Sequence, residues 1–166
     1  MTLVNGRGQL GDLLTKRLSD IKTIPGNLYH TWNFEDKSEE TQQKEYNKLI
    51  TFLTNHSFKK IIFISTKAAL GNPYTNYKRL AEQYIIENTK DYLIIRLPNL
   101  IGKGICNRFK KDENIKPFGY IEFLSIEDAC NGIITNINKD GLIELSGETI
   151  SAKLTQKLIT YGATNA

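Results

Sequence analysis

The chain has 166 residues, 40% of them hydrophobic, which is enough for one domain with a sizeable core. Its 22 basic and 18 acidic residues give a net charge of +4 and are spread along the chain, which does not indicate a nucleic-acid partner. The two cysteines lack metal-ligand spacing and no apolar run approaches the roughly 18 residues of a membrane span, so we expect a cytoplasmic domain without metal or membrane partner.

The chain begins with a short apolar stretch, residues 2–4, that predicts a β-strand. A glycine turn of the form G-x-G-x-x-G follows, and regularly spaced leucines then predict an amphipathic helix. Glycines let the backbone approach a pyrophosphate, and the helix N-terminus supplies N–H groups to it. We therefore expect dinucleotide binding here in preference to a merely flexible turn. The residues of the turn are Gly6, Arg7, Gly8, Gln9, Leu10 and Gly11.

The segment after this helix is shorter than a dinucleotide-binding half-fold requires. Residues 28–33 predict the next strand, and residues 39–58 predict a helix. A dinucleotide half-fold should have a further strand directly after the first helix, ending in an acid that binds the ribose. The only nearby acids, Glu35 and Asp36, cannot be assigned that role. The first strand would then lie at a sheet edge, and we expect another copy of the chain to cover it. Both histidines are expected to pack or to cap, not to bind a metal.

The central part of the chain carries the most reactive side chains. Residues 61–64 predict a buried strand that ends in two hydroxyl residues, Ser65 and Thr66, and a helix is predicted to begin near Pro73. Hydroxyls at the carboxyl end of such a strand lie where open α/β sheets place their ligands. The apolar face of the helix would consist of Tyr77, Leu80, Ala81, Tyr84 and Ile85.

Tyr74 and Lys78 stand four residues apart, one turn above each other on this helix. A phenol with a pKa of about 10 is a poor base at neutral pH, and a nearby ammonium is expected to lower that pKa. The hydroxyl of Thr66 or Ser65 could then hold a substrate oxygen while Tyr74 moves the proton. The alternative is an ordinary aromatic residue at a helix start beside a solvated lysine.

The remaining segments complete an alternating pattern. Residues 92–97 predict another buried strand, followed by Pro98 and Asn99, and a basic loop over residues 103–116 could hold a pyrophosphate or be a solvated charge cluster. A helix capped by Ser125, a strand over residues 142–145 and a helix starting at Ser151 follow. Strands that alternate with helices predict a doubly wound, mostly parallel sheet of about five strands with right-handed crossovers and helices on both faces. The expected fold class is α/β, a shortened Rossmann type.

Several stretches together resemble the extended short-chain dehydrogenase/reductase family, the NAD-dependent epimerase/dehydratases, whose members act on nucleotide sugars. The GQLG of the glycine turn is similar to that of the dTDP-4-dehydrorhamnose reductases. The matching stretches, in family order, are residues 6–11 (GRGQLG), residues 64–66 (IST), the YxxxK of Tyr74 and Lys78 with Glu82 after it, residues 96–102 (RLPNLIG) and residues 125–129 (SIEDA).

The resemblance implies one NAD(P)-binding domain over residues 1–166, with a reduced substrate-binding region at about residues 99–124. It identifies residues 28–33 with the fourth strand of the family, so the intervening elements are missing. The implied catalytic residues are Thr66, Tyr74 and Lys78. The implied cofactor-binding residues are those of the glycine turn with Ser65, Lys78 and Pro98, and the implied substrate-binding residues are Thr66, Asn99, Arg108 and Lys110.

Two functional classes follow from the resemblance. The first is an NAD(P)-dependent oxidoreductase that reduces a keto-sugar nucleotide in surface polysaccharide biosynthesis, or an epimerase or dehydratase of similar substrates. The second is a reduced, non-catalytic family member that acts as a binding or assembly subunit. NADP is preferred to NAD because Arg7 lies inside the glycine turn and no ribose-binding acid is evident.

Overall fold

The computed structural model describes residues 2–23, 25–101, 119–155 and 157. The predicted basic loop with Arg108 and Lys110, and the end of the predicted C-terminal helix, lie outside the described residues. The helices are α1 (Gly8–Leu18), α2 (Glu39–Asn55), α3 (Pro73–Asn88) and α4 (Ile126–Asn136). The strands are β1 (Thr2–Asn5), β2 (Gly26–Tyr29), β3 (Ile61–Thr66), β4 (Tyr92–Leu97), β5 (Asn99–Ile101), β6 (Tyr120–Ser125), β7 (Gly141–Glu144) and β8 (Glu148–Ser151).

The main sheet has five parallel strands in the order β1-β2-β3-β4-β7. Its centre is formed by β3 and β4, whose β-branched residues are buried on both faces, as is usual for parallel sheets. Helices cover both faces, so the predicted Rossmann-type α/β fold is confirmed. Strand β1 lies at one edge of this sheet, as the short segment after α1 led us to expect.

Each face of the sheet has its own apolar core. On one face, leucines of α1 and the stripe of α4 that contains Cys130 pack on Ile62, Ile64 and Ile95. On the other face, α2 and α3 pack on Phe63 and its neighbours in β2 and β4. The alternation of side chains along β3 assigns successive residues to the two cores. It also places Ser65 on the same face as Phe63, towards α3.

The connections between the strands do not all have the same hand. Helices α1 and α4 lie on one face and α2 and α3 on the other, while the strand order advances in one direction from β1 to β7. The connections through α1 and α4 therefore have the opposite hand to those through α2 and α3. The connections therefore cannot all be right-handed, as they are in most proteins, and the prediction of uniformly right-handed crossovers is wrong.

A second, three-stranded sheet in the order β5-β6-β8 was not expected from the sequence. It pairs β5 with β6 in parallel and β6 with β8 antiparallel. The predicted helix cap beside it is confirmed, because Ser125 Oγ accepts from the Asp128 N–H. Ser151, where a further helix was predicted to start, also accepts through Oγ from the Leu154 N–H. This small sheet carries Asn99 at the start of β5.

The predictions differ from the structure in the ends of β2 and α2 and in the buried face of α3. Helix α2 ends at Asn55, three residues before the predicted end at residue 58. Strand β2 ends at Tyr29, well before residue 33, and the chain then turns towards α2. Helix α3 buries Lys78 and Glu82, whereas Leu80 of the predicted apolar face is 46% exposed. The helix is therefore rotated towards its charged residues. Such burial is tolerable because both charged groups have hydrogen-bond partners, which are described below.

Candidate functional site

The candidate site lies at the carboxyl edge of the main sheet. The glycine turn follows β1, the segment from His30 to Trp32 follows β2, and β3 ends in Ser65 and Thr66. The N–H groups of His30 and Thr31 donate to the Asn5 carbonyl oxygen at 2.8 and 3.1 Å, which fixes the end of β2 beside the glycine turn. The fold therefore brings the two predicted halves of the site to one edge, where doubly wound sheets bind ligands.

Two of the turn's glycines are required by close packing. A Cβ at Gly6 would lie 2.9 Å from the His30 Cβ, and a Cβ at Gly11 would lie 2.8 Å from the Gly6 carbonyl oxygen. Gly8 is different, because its φ of 84° lies in the left-handed region and nothing stands within 4 Å of an added Cβ. The turn is thus closed towards His30 and open around Gly8.

The open side of the turn fits the pyrophosphate of a dinucleotide. Helix α1 begins at Gly8, and its N-cap residue, Arg7, makes no side-chain capping hydrogen bond. The first N–H groups of the helix and its positive dipole end are thus left for an anion. Arg7 and Gln9 are exposed beside them, whereas the Leu10 side chain is buried in the core, so only its backbone can face a ligand.

His30 packs against the glycine turn in its neutral form. Burial, with a smaller contribution from the nearby Lys78 ammonium, lowers its pKa from 6.5 to about 4. The imidazole is therefore uncharged at neutral pH and adds no positive charge to the phosphate site. This packing role agrees with the expectation from the sequence.

Lys78 is the most deeply placed of the predicted catalytic residues. Its side chain reaches under the end of β3 and donates to the Ile64 carbonyl oxygen at 2.8 Å. Its Nζ lies 4.5 Å from the ring centroid of Trp32, 4.8 Å from that of Phe63 and 6.0 Å from that of Tyr74. The predicted proximity of Tyr74 and Lys78 is therefore present, with the ammonium below the plane of an aromatic cluster.

The pKa values of this pair are shifted in an unexpected direction. Burial lowers the pKa of Lys78 to about 7, although the carboxylates of Glu82 and Glu45 oppose this shift. Burial raises the pKa of Tyr74 to about 12, so the expected lowering of its pKa by Lys78 is absent from this structure. A lysine that is only partly charged at neutral pH cannot stabilise a phenolate strongly. In this geometry the Tyr74 phenol stays protonated at neutral pH, so it could donate a proton more readily than accept one.

The two hydroxyl residues at the end of β3 have different partners. Ser65 is buried, and its hydroxyl donates to the Glu82 carboxylate. The Thr66 hydroxyl is partly exposed and accepts from the Ala68 N–H at 3.1 Å. A hydroxyl in that position keeps its own proton to donate to a ligand. Among the described residues, neither hydroxyl is hydrogen-bonded to Tyr74.

Glu82 connects the helix and strands that carry the site. Its carboxylate accepts from Arg96 at 2.6 Å and from Arg79 at 2.8 Å, in addition to Ser65. Arg79 also donates to the Thr66 carbonyl oxygen at 2.7 Å, and Arg96 continues the network to Glu144 of β7. The end of β3 is therefore joined to α3, β4 and β7 by charge-assisted hydrogen bonds.

Pro98 and Asn99, two of the predicted cofactor- and substrate-binding residues, lie directly after β4 and at the start of β5. Pro98 is buried, and the exposed Asn99 donates from its side chain to the Glu122 carbonyl oxygen at 3.3 Å. A cavity of about 540 Å³ lies beside β5 and is lined in part by Asp128 and Glu148. Among the described residues that line this cavity, these acids do not favour a phosphate.

Sequence reasoning missed the aromatic and polar residues above Lys78. Trp32 covers the ammonium, and its Nε1–H donates to the side chain of the buried Gln42 at 2.7 Å. Glu45 of the same helix accepts from the Asn33 N–H at 3.2 Å. The available signal in the sequence was that Trp32 is the only tryptophan of the chain. Over the described ranges, no cluster of potential metal ligands is found and no helix is long and apolar enough to cross a membrane.

Comparison with known proteins places this architecture among solved enzymes. No protein-family model and no curated protein sequence matches the chain. The structure is similar to a hypothetical dTDP-4-dehydrorhamnose reductase from Sulfolobus tokodaii, with a TM-score of 0.72 and 21% identity over 97% of this chain and 81% of that one. A dTDP-4-dehydrorhamnose reductase from Clostridium acetobutylicum gives a TM-score of 0.66 and 16% identity over 96% of this chain and 79% of that one.

A third similar structure is the Bordetella bronchiseptica enzyme WbmH in complex with NAD+. Its TM-score is 0.63 with 13% identity, over 95% of this chain and 64% of that one. At these identities the comparisons establish a shared fold. The expected resemblance to the Rossmann-fold reductases and epimerase/dehydratases is thus confirmed for the architecture of the chain. This chain also spans less than two thirds of the length of the Bordetella enzyme.

Proposed function

We propose that this protein is an NAD(P)-dependent oxidoreductase that reduces the ketone of a keto-sugar nucleotide. The observation that carries the proposal is the position of the open glycine turn at the same sheet edge as Tyr74 and Lys78. The turn has room for an anion at the start of α1, and the phenol and amine lie beyond the end of β3. The solved reductases of similar fold support this class of activity.

In this proposal Tyr74 is the general acid. Burial keeps its phenol protonated, so it can donate to a ketone oxygen as that oxygen becomes an alcohol. Thr66 holds the same oxygen with its hydroxyl, and the partly charged Lys78 amine lies 6.0 Å from the ring centroid of Tyr74. A nicotinamide bound at the sheet edge would supply the hydride.

The glycine turn, with Ser65, Lys78 and Pro98, forms the proposed cofactor site. Arg7 is exposed at the start of α1, where its guanidinium can reach a 2′-phosphate, and this favours NADP over NAD. Asn99 and Thr66, with Arg108 and Lys110 outside the described residues, are the proposed substrate-binding residues. The proposal takes residues 1–166 as one domain, in the cytoplasm, with a role in surface polysaccharide biosynthesis.

Epimerisation or dehydration of a nucleotide sugar is a second candidate activity, because similar structures include dTDP-glucose 4,6-dehydratases and a UDP-N-acetylglucosamine 4-epimerase. A non-catalytic binding subunit is a third possibility, favoured by one observation. The Lys78 amine is already bound to the Ile64 carbonyl oxygen and covered by Trp32, so it is not presented to a ribose in this structure.

A titration with NADH and NADPH, followed by turnover assays on nucleotide-sugar ketones, tests the proposal. We expect both cofactors to bind, NADPH more tightly, and the affinity for NADPH to fall in Arg7→Ala. If Arg7→Ala bound NADPH as tightly as the wild type does, the role of Arg7 would be rejected. Binding of neither cofactor would reject the oxidoreductase and leave the binding subunit. Cofactor binding with epimerisation or loss of water, but no reduction, would select the second candidate.

A further inference from the structure

The Lys78 ammonium is held mainly by aromatic rings. An ammonium has three N–H donors, and among the described residues one of them is used, in the bond to the Ile64 carbonyl oxygen. The rings of Trp32 and Phe63 lie within 5 Å of Nζ, which is the range of a cation–π contact. The side chain is only 4% exposed, so these rings take the place of water around the amine.

Trp32 is itself fixed in one orientation. Its Nε1–H donates to Gln42 Oε1 at 2.7 Å, and its ring meets Phe63 edge-on with centroids 5.9 Å apart. Gln42 is fully buried, and its amide donates to the carbonyl oxygens of Asn33 and Asp36 at 2.8 and 2.6 Å. The glutamine therefore ties the indole and the loop after Trp32 to helix α2.

A buried glutamine is costly to fold unless its hydrogen bonds are all made. An apolar residue at Gln42 could fill the same volume in the core, but it could not fix the direction of the indole N–H. The hydrogen bond to Gln42 thus fixes the orientation of the Trp32 indole, which packing alone would not do. The face of the indole so oriented is the one that lies over Lys78.

We propose that Trp32 is a positioning residue for Lys78: fixed by Gln42, its indole closes the site above the amine, keeps it on the Ile64 carbonyl and excludes water. The consequence for catalysis rests on the oxidoreductase proposed above. The positioning itself is a property of the protein without any cofactor. It assigns a function to two residues, Trp32 and Gln42, that lie outside the predicted Thr66–Tyr74–Lys78 set.

The titratable groups around Lys78 come from helices α3 and α2 and from the segment after β2. Glu82 on α3 and Glu45 on α2 both favour the ammonium, while burial favours the neutral amine and is the largest influence. His30, after β2, is neutral and feels the lysine charge. Since burial outweighs the two carboxylates, opening the cover above Lys78 should raise its pKa from about 7 towards the ordinary 10.5.

The tryptophan offers a direct readout, because Trp32 is the only one in the chain. Its fluorescence is expected to change with a midpoint near pH 7 as the amine 4.5 Å from its ring gains a proton. This step should vanish in Lys78→Met and remain in His30→Gln and His56→Gln. A wild-type protein without such a step, or a step abolished by a histidine variant and retained in Lys78→Met, would overturn the proposal.

The second measurement follows the Lys78 ¹³Cε resonance with pH, assigned by its loss in Lys78→Met. We expect its midpoint to rise by at least about one pH unit in Trp32→Leu and by a smaller amount in Gln42→Leu and Trp32→Phe, which keep a ring but break the Trp32–Gln42 bond. Phe34→Leu is the matched control, since Phe34 is an exposed aromatic residue of the same loop and should leave the midpoint unchanged.

A Lys78 midpoint that is the same in wild type and Trp32→Leu would reject the positioning role, even if the variant were less stable. If Trp32→Leu does not fold, Trp32→Phe is the deciding variant. A Lys78 midpoint in Trp32→Phe equal to that of the wild type would reject the proposal that the Trp32–Gln42 hydrogen bond positions the indole over Lys78. Both titrations use protein without cofactor. If the Lys78 midpoint shifts in the variants but the protein binds no dinucleotide, this inference is supported and the oxidoreductase is rejected. If the protein binds a dinucleotide but the midpoint does not shift, the oxidoreductase is supported and this inference is rejected.

Discussion

At the scale of single residues, two ionisable side chains dominate the candidate site. Burial raises the pKa of the Tyr74 phenol and lowers the pKa of the Lys78 amine, so the neutral forms of both are favoured. A site with these preferences suits proton donation to a ketone more than proton removal from an alcohol. The reductive direction is therefore the one that the electrostatics favour.

The first prediction concerns the phenol. Tyr74→Phe removes the proton donor and keeps the ring above Lys78, so turnover should fall by about 10²–10⁴ while cofactor affinity changes little. Lys78→Met should also be severe, and Thr66→Ala milder, since one lost hydrogen bond is partly compensated. Steady-state assays on nucleotide-sugar ketones measure all three.

Tyr77→Phe is the control for this series. Tyr77 lies on the same helix, but its hydroxyl is exposed and donates to Glu39 at 2.7 Å, so its removal should leave turnover unchanged. If Tyr74→Phe turned over as fast as the wild type, Tyr74 would not be the acid. The Tyr74–Lys78 pair would then be a remnant of an ancestral enzyme.

The second prediction is a pH dependence of stability. Between about pH 7 and pH 10.5 the unfolded chain keeps the Lys78 proton that the folded protein has lost. The free energy of unfolding should therefore rise with pH in this window, by up to about 1.4 kcal/mol per pH unit from this residue. Below pH 7 both states are protonated and the contribution is constant.

Urea unfolding of wild type and Lys78→Met at several pH values isolates this contribution, because other groups titrate in both proteins. The stability of the wild type relative to the variant should increase from pH 7 to pH 10. Parallel curves over that range would show that the folded protein holds the Lys78 proton as an ordinary lysine does.

At the scale of secondary-structure elements, Glu82 joins the strands that carry the site. Its carboxylate is buried, and it binds two arginines and a serine from α3, β3 and β4. Loss of one partner of a buried charge pair typically costs about 3–5 kcal/mol. The arginine side chains are 23% exposed, which reduces this figure.

The third prediction follows from that arrangement. Glu82→Gln should lower the free energy of unfolding by about 2–3 kcal/mol, because the amide leaves both guanidinium groups without a counter-charge. The control is Glu87→Gln on the exposed side of the same helix, where the carboxylate accepts a hydrogen bond from the exposed Gln83 and little change is expected. Equal denaturation midpoints for the two variants would contradict a supporting role for Glu82.

The elements themselves were largely predictable from the sequence. The apolar runs of β3 and β4 and the leucine spacing of α1 depend on local periodicity, which the sequence displays directly. The small sheet was not predictable, because β5 has three residues and its pairing depends on the distant strand β6. The burial of Lys78 was missed for a related reason. A lysine is expected in water, and only the tertiary structure supplies the Ile64 carbonyl and the ring of Trp32.

At the scale of the whole molecule, the short connection from α1 to β2 leaves β1 at the edge of the sheet, beside β2 alone. A loop hydroxyl covers the start of this edge, where the Thr2 N–H donates to Thr23 Oγ1 at 2.8 Å. Leu3 is 55% exposed on the edge strand and Ile21 is 41% exposed in the loop after α1. An apolar edge strand of this kind invites pairing with another chain.

The last prediction is that two copies of the chain associate through β1. Antiparallel pairing of β1 with its own copy about a two-fold axis is self-complementary, and it would join two five-stranded sheets into one. Sedimentation at micromolar concentration should show a dimer, and Leu3→Glu should shift it to monomer, because a charge on each edge strand would then face its like. The competing surface is the outer side of α3, where Leu80 is 46% exposed. Leu80→Glu is therefore the matched variant. A dimer that survives Leu3→Glu and dissociates in Leu80→Glu would place the interface on α3, and a wild-type monomer would show that neither surface is used.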